Sequence, residues 1–197
     1  MVIEPLLDAA HTAVLSMDLQ AAIVSIYPGN QGAFTQRVAG VLGRARERGM
    51  TVIHVQVGFR PGFPEIGPRN RLFNSIRNSP DRQKLFEGEA GQIHPAVAPV
   101  GEEIVITKHR VSAFTGTDLE MILRAKEIET LVLFGIATSG VVLSTLVDAA
   151  DLDYRIVVIS DCCADQDQEV HRILLEKYFP RRGTVVSSTE FLESLAG

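Results

Sequence analysis

Four short stretches of this chain carry side chains able to move a proton or meet an anion. Asp18 follows Val14-Leu-Ser-Met, Lys108 follows Ile106-Thr, a turn from Gly135 to Gly140 leads into Val141, and Asp161-Cys162-Cys163 closes another apolar run. An Asp beside a Lys can serve as acid or base, because the ammonium favours the carboxylate while burial raises its pKa, and the balance decides which form waits. Taken singly, each has a plainer reading: Asp18 as the cap of a turn, Lys108 as a solvated charge at a strand end. Residues 130–150 read as a buried strand, a tight small-residue turn and a helix. The first turn of such a helix offers backbone N–H groups and a positive dipole end, the setting in which many α/β enzymes mount a nucleophile. The position that would carry it here is Val141.

Other reactive side chains have structural explanations. Thr138 and Ser139 lie in the turn, but no base is legible beside them, so they are assigned to shaping the turn or capping the helix. Cys162 and Cys163 are adjacent, too close for an unstrained disulfide, and are assigned to packing. His54 sits in mid-strand and reads as a satisfied core histidine. His94, His109 and His171 show no ligand spacing and are given surface or helix-cap roles, so no metal site is expected.

Strands are predicted at Thr12–Met17, Thr51–Val57, Ile104–Thr107, Leu131–Phe134, Arg155–Ser160 and Thr184–Ser187, each too apolar to be half exposed. Helical spacing joins Phe34, Val38, Val41, Leu42 and Ala45 and stops at Gly49; Thr117 with Glu120 forms a capping-box pattern. A third helix opens at Asp167 or Gln168 and runs to about Tyr178, and a short fourth spans Thr189–Ala196. Apolar strands alternating with helices imply a parallel sheet covered on both faces, a three-layer α/β/α Rossmann-like architecture. Ligands of such sheets bind beyond the carboxyl ends of the strands, where Asp18, Lys108 and the 135–140 turn fall. Residues 58–101 form an unusually long connection with six prolines, and from Gly58 to Lys84 six basic residues face two acidic ones. Such a lid suits an acidic substrate or a partner subunit.

The 197 residues, 46% hydrophobic and 22% charged, suffice for one domain spanning 1–197. No run approaches the ~18 apolar residues of a membrane span, and Met-Val-Ile-Glu-Pro does not open like a signal peptide. Two cysteines and a net charge of -5 point to a reducing, cytoplasmic setting without nucleic acid or membrane as partner.

The residues resemble the isochorismatase-like hydrolases, the cysteine hydrolase superfamily that includes nicotinamidases, N-carbamoylsarcosine amidases and isochorismatases. The resemblance covers nearly the whole chain and rests on Val14-Leu-Ser-Met-Asp18-Leu-Gln, Ile106-Thr-Lys108-His-Arg-Val-Ser-Ala-Phe114, Gly135-Ile-Ala-Thr138-Ser-Gly-Val141 with Ser144 to Asp148, and Asp161-Cys-Cys-Ala-Asp165 with His171. It implies a six-stranded parallel sheet ordered 3-2-1-4-5-6 and a site built from an Asp, a Lys and a Cys, mapping onto Asp18, Lys108 and Val141. It also implies a cis peptide before Thr138, between Ile136 and Ala137, and an oxyanion hole of backbone N–H groups there. No cofactor is implied, the nicotinamidase metal ligands have no counterpart around His54, and family members form homodimers or homotetramers.

A valine has no proton to give and no lone pair, so a covalent route through position 141 is excluded by its chemistry. The expectation is an isochorismatase-family hydrolase acting on a small anionic metabolite by non-covalent acid/base chemistry; the resemblance to isochorismatases, which also lack the cysteine, implies vinyl-ether hydrolysis or a related reaction, and an amidase is disfavoured. By that resemblance Asp18 is expected as the general acid, with Lys108 orienting it or the substrate, and Arg60, Arg69, Arg71 and Phe114 are candidate substrate contacts. Two alternatives stand beside it: a catalytically silent member that binds a ligand or partner, and an oligomeric scaffold whose long lid is an interface.

Overall fold

The structure is a computed structural model, and it describes residues 7–27 and 29–195. The readings placed on the first five residues and on Ala196 lie outside them. Six parallel strands form one sheet: β1 (Thr12–Met17), β2 (Thr51–Val57), β3 (Ile104–Lys108), β4 (Thr130–Ile136), β5 (Arg155–Ala164) and β6 (Thr184–Val186). Their order is β3-β2-β1-β4-β5-β6, as expected. The helices are α1 (Ala21–Ile26), α2 (Gln31–Glu47), α3 (Arg71–Arg77), α4 (Pro80–Gln83), α5 (Leu119–Ala125), α6 (Leu143–Asp151), α7 (Gln168–Ile173) and α8 (Ser188–Ser194). Among the described residues no helix is long and apolar enough to cross a membrane.

Every residue of β1 and β4 is buried, which is why these central strands read as unbroken apolar runs. The edge strand β3 departs from that expectation: Val105 and Thr107 are exposed, because β3 has a single neighbour and its outer residues lack full helical cover. β5 is longer than its apolar run suggests. Its pairing with β4 is irregular beyond Leu133, and it continues through Cys162 and Cys163, which therefore lie within the strand rather than after it.

α2 ends as its sequence predicts, with Gly49 at φ +73° just beyond it. The capping box at Thr117 does not form. The Thr117 hydroxyl donates to Ala113 O at 2.6 Å and accepts from Leu119 N, the helix begins after Asp118, and Glu120 lies 3.8 Å from Arg124 instead. A complete capping box is found at α8, between Ser187 and Glu190. Asp167 opens α7 through bonds from Glu169 N and Val170 N, and a wider helical turn carries the chain on to Tyr178.

The 58–101 connection is folded rather than bare loop. It contains α3 and α4 and has its own small core, in which Val57, Ile66, Phe73 and Ile76 pack with Phe59, Phe63 and Phe86. The strand order reverses between β1 and β4, so the crevice at their carboxyl ends is the place where an open α/β sheet receives ligands.

Candidate active site

Asp18 is the first residue beyond β1, and its backbone turns there: φ is +54°, while its N–H still bonds Val55 O of β2 at 2.8 Å. Lys108 ends β3, one strand further out, and its side chain must cross the end of β2 to reach Asp18. It does so, placing Nζ 2.8 Å from Asp18 Oδ2, and Nζ also donates to Arg110 O at 3.1 Å. The residues are 6% and 2% exposed, so neither is the solvated charge of the plainer reading. Gln20 fixes the segment after β1. It accepts from Val57 N and donates to Val57 O and Gly91 O, tying β1's exit to the end of β2 and to the lid.

The second oxygen, Asp18 Oδ1, is buried with no hydrogen-bond partner among the described residues. A carboxylate removed from water and given one partner is poorly compensated, and burial pushes the Asp18 pKa up from 3.8 against the opposing pull of Lys108. The group can therefore hold a proton above the ordinary carboxyl range, as a general acid must.

Beside this pair lies the turn after β4. Gly135 sits at φ +145° in register with Met17, and a Cβ on it would lie 2.0 Å from Met17 O, so only glycine lets the two strands approach here. The Ile136–Ala137 peptide is cis. Thr138 is buried and its Oγ1 lies 2.8 Å from His171 Nδ1; Ser139 N donates to Asp165 Oδ2 at 2.7 Å. The sequence offered no base beside Thr138, and it placed His171 at the surface or at a helix end. The first reading is corrected: α7 carries a half-buried His171, which lies in that helix's last turn, onto the turn after β4 across 33 positions of sequence. Val141 is 2% exposed and belongs to the core, in the wide helical turn Thr138–Val142 that leads into α6.

A cavity of about 180 Å³ opens next to the turn, lined by Ile136, by Tyr27, Phe34 and Arg37 from the α1–α2 side, and by Cys163, Asp165 and His171. Burial pushes the Tyr27 phenol up to about 12, helped by the charges of Asp165 and Asp18, although Asp18 and Lys108 do not themselves line the cavity. Cys163 donates to Ile159 O, and burial holds its thiol at about 12; Cys162 is buried too and its pKa is also raised by burial, so packing describes both.

The remaining candidates do not line this cavity. Arg60 pairs with Glu65 at 2.7 Å, Arg69 and Arg71 are exposed, and the other lid cations Arg77, Arg82 and Lys84 bond within the lid. Phe114 stacks on Tyr154, the residue that precedes β5, with ring centroids 6.1 Å apart. His54 is fully buried with Nε2 3.0 Å from Glu103 Oε2, so it is a core histidine, but its Nδ1 is buried with no partner among the described residues. Residues the sequence reading passed over, Tyr27 and Arg37, line the cavity, and no motif announces either.

The isochorismatase domain model matches residues 12–190. Maleamate amidohydrolase of Pseudomonas putida is 30% identical over 172 residues, covering 86% of this chain and 78% of the relative. Ureidoacrylate amidohydrolase RutB of Variovorax paradoxus is 30% identical, covering 98% and 85%. An isochorismatase family protein of Burkholderia thailandensis superposes with a TM-score of 0.84 at 28% identity, over 95% of this chain and 97% of that one. The chain belongs to the isochorismatase family and is a hydrolase of that family.

Proposed function

We propose that this hydrolase cleaves a small carboxylate-bearing substrate by direct addition of water, with Asp18 giving a proton to the leaving group and Lys108 orienting it. The observation that carries the reading is the buried pair 2.8 Å apart whose carboxyl keeps one oxygen without a hydrogen-bond partner, uncommitted to the fold. Burial of Asp18 supports the acid role, and Val141 supports a non-covalent course, since its isopropyl group can form no acyl-enzyme. The relatives' substrates, maleamate and ureidoacrylate, suggest an acid with an amide or ureido group; a vinyl ether such as isochorismate is the other substrate class within reach of an acid-first mechanism. Arg37 beside the cavity and the cationic lid are suited to attract such anions.

The test is a screen of the purified chain against maleamate, ureidoacrylate, N-carbamoylsarcosine and isochorismate by product NMR, repeated with Asp18→Asn. Turnover of one of them should fall by about 10²–10⁴-fold in the variant, the usual worth of a general acid. Undiminished turnover in Asp18→Asn would end the reading, and a wild-type chain inert to all four would favour a catalytically silent binder.

A further inference from the structure

Hydrolysis without a covalent intermediate needs two proton movements, one onto the leaving group and one off the attacking water. Asp18 accounts for the first. The second needs a lone pair at neutral pH, and most titratable groups around the cavity are unable to offer one. Tyr27 and Cys163 are protonated, each held at about 12. Arg37 is a cation whose Nε donates to Asp161 O and lies 3.7 Å from the Asp161 carboxylate. The Asp165 carboxylate accepts a bond on each oxygen, from Ser139 N and Asp167 N, and is committed to holding the turn and the start of α7. His171 remains. Burial lowers its pKa from 6.5, opposed by the charge of Asp165, so the ring is neutral at pH 7 with one basic nitrogen. The nearby charged residues of its own helix, Glu169 and Arg172, are exposed.

We propose that His171 is the base that accepts the proton of the attacking water, and that Thr138 holds it in the tautomer this requires. The ring nitrogen 2.8 Å from Thr138 Oγ1 is Nδ1; with its proton donated to the hydroxyl, Nε2 keeps its lone pair for the cavity that His171 lines. This rests on the hydrolytic reading of Asp18. As the water oxygen bonds to the electrophilic carbon, its proton passes to Nε2. As the carbon–heteroatom bond breaks, its electron pair takes the proton of the Asp18 carboxyl. The imidazolium then loses its proton and the Asp18 carboxylate regains one through solvent, so one water is consumed and both groups are reset. Thr138 is a positioning residue in this scheme, and a buried threonine in a turn, which otherwise needs no histidine, gains a reason for its partner.

Two measurements decide it. Long-range ¹H–¹⁵N NMR of the wild-type protein should show neutral His171 with its proton on Nδ1 and a pKa below 6.5, and Thr138→Val should shift the ring toward the Nε2–H form. A wild-type ring protonated on Nε2 would overturn the proposal, because no acceptor would then be left for water. With maleamate or ureidoacrylate as probe, His171→Asn should lower kcat by about 100-fold or more with KM changed only a few-fold, and should remove the acidic limb of the kcat/KM profile. Turnover that is lost in Asp18→Asn but intact in His171→Asn would overturn this assignment alone; absence of turnover in the wild type removes the hydrolytic reading and this proposal with it.

Discussion

Two carboxyl–cation pairs, one half-buried and one fully buried, sit at opposite edges of the same sheet, and they are built to opposite ends. Glu103, just before β3 at the amino edge, accepts four bonds: from Arg46 Nε at 2.7 Å, Arg46 Nη2 at 2.9 Å, Val100 N at 2.9 Å and His54 Nε2 at 3.0 Å. Asp18, just after β1 at the carboxyl edge, accepts from Lys108 alone and leaves an oxygen unpartnered. Burial raises the pKa of both, but the donors around Glu103 outweigh it and hold that carboxyl at about 2, whereas at Asp18 burial wins. A carboxylate meant to stay ionised is surrounded by donors; one meant to exchange a proton is left short of them. The same charge types thus serve architecture at one edge and, in the proposed reaction, chemistry at the other.

Breaking the architectural pair should give the larger change in stability. Glu103→Ala strands Arg46 and His54, and since removing one partner of a buried pair costs about 3–5 kcal/mol, the partial exposure of Arg46 reduces the expected loss to about 2–4 kcal/mol, read by urea unfolding at pH 7. The pH dependence has a definite sign. Glu103 has a folded pKa of about 2 against 4.5 unfolded, so its contribution is full above about pH 4.5 and fades as the pH falls toward 2. Wild type and Glu103→Ala should therefore converge in stability across that window, and curves that stay parallel would remove Glu103 from the account.

The pair at the carboxyl edge should behave differently. Replacing both members, in the double variant Asp18→Asn with Lys108→Met, removes a poorly compensated buried pair, and such replacements are often neutral or stabilising by about 1–4 kcal/mol. We expect a chain unchanged in stability to within about 1 kcal/mol, or more stable, in the same urea unfolding. A loss of several kcal/mol would make Asp18–Lys108 a second architectural pair and erase the contrast.

Much of this was readable in the sequence. The buried strands β1, β2 and β4 announce themselves as apolar runs, and the order of the sheet, Asp18 and Lys108 follow from the family resemblance. What stayed hidden depends on tertiary placement. His171 reaches Thr138 only because α7 returns over the turn after β4, and no local pattern records a contact 33 residues away. The lid arginines look like free cations in sequence, yet most bond within the lid, and Phe114 turns to Tyr154. The short helices α1, α3 and α4 escape notice because four to seven residues hold too few periods to show a stripe. At Thr117 the capping-box letters are present, but a bond to Ala113 O draws the hydroxyl into the preceding turn.

The contrast between the two carboxyls can be read in one sample by ¹³C-carboxyl NMR titration of Asp18 and Glu103. The account predicts that Asp18 titrates above 3.8 while Glu103 titrates near 2. An Asp18 carboxyl that titrates at or below 3.8 would contradict it, because the group assigned the proton would then be as firmly ionised as the one built to hold the fold.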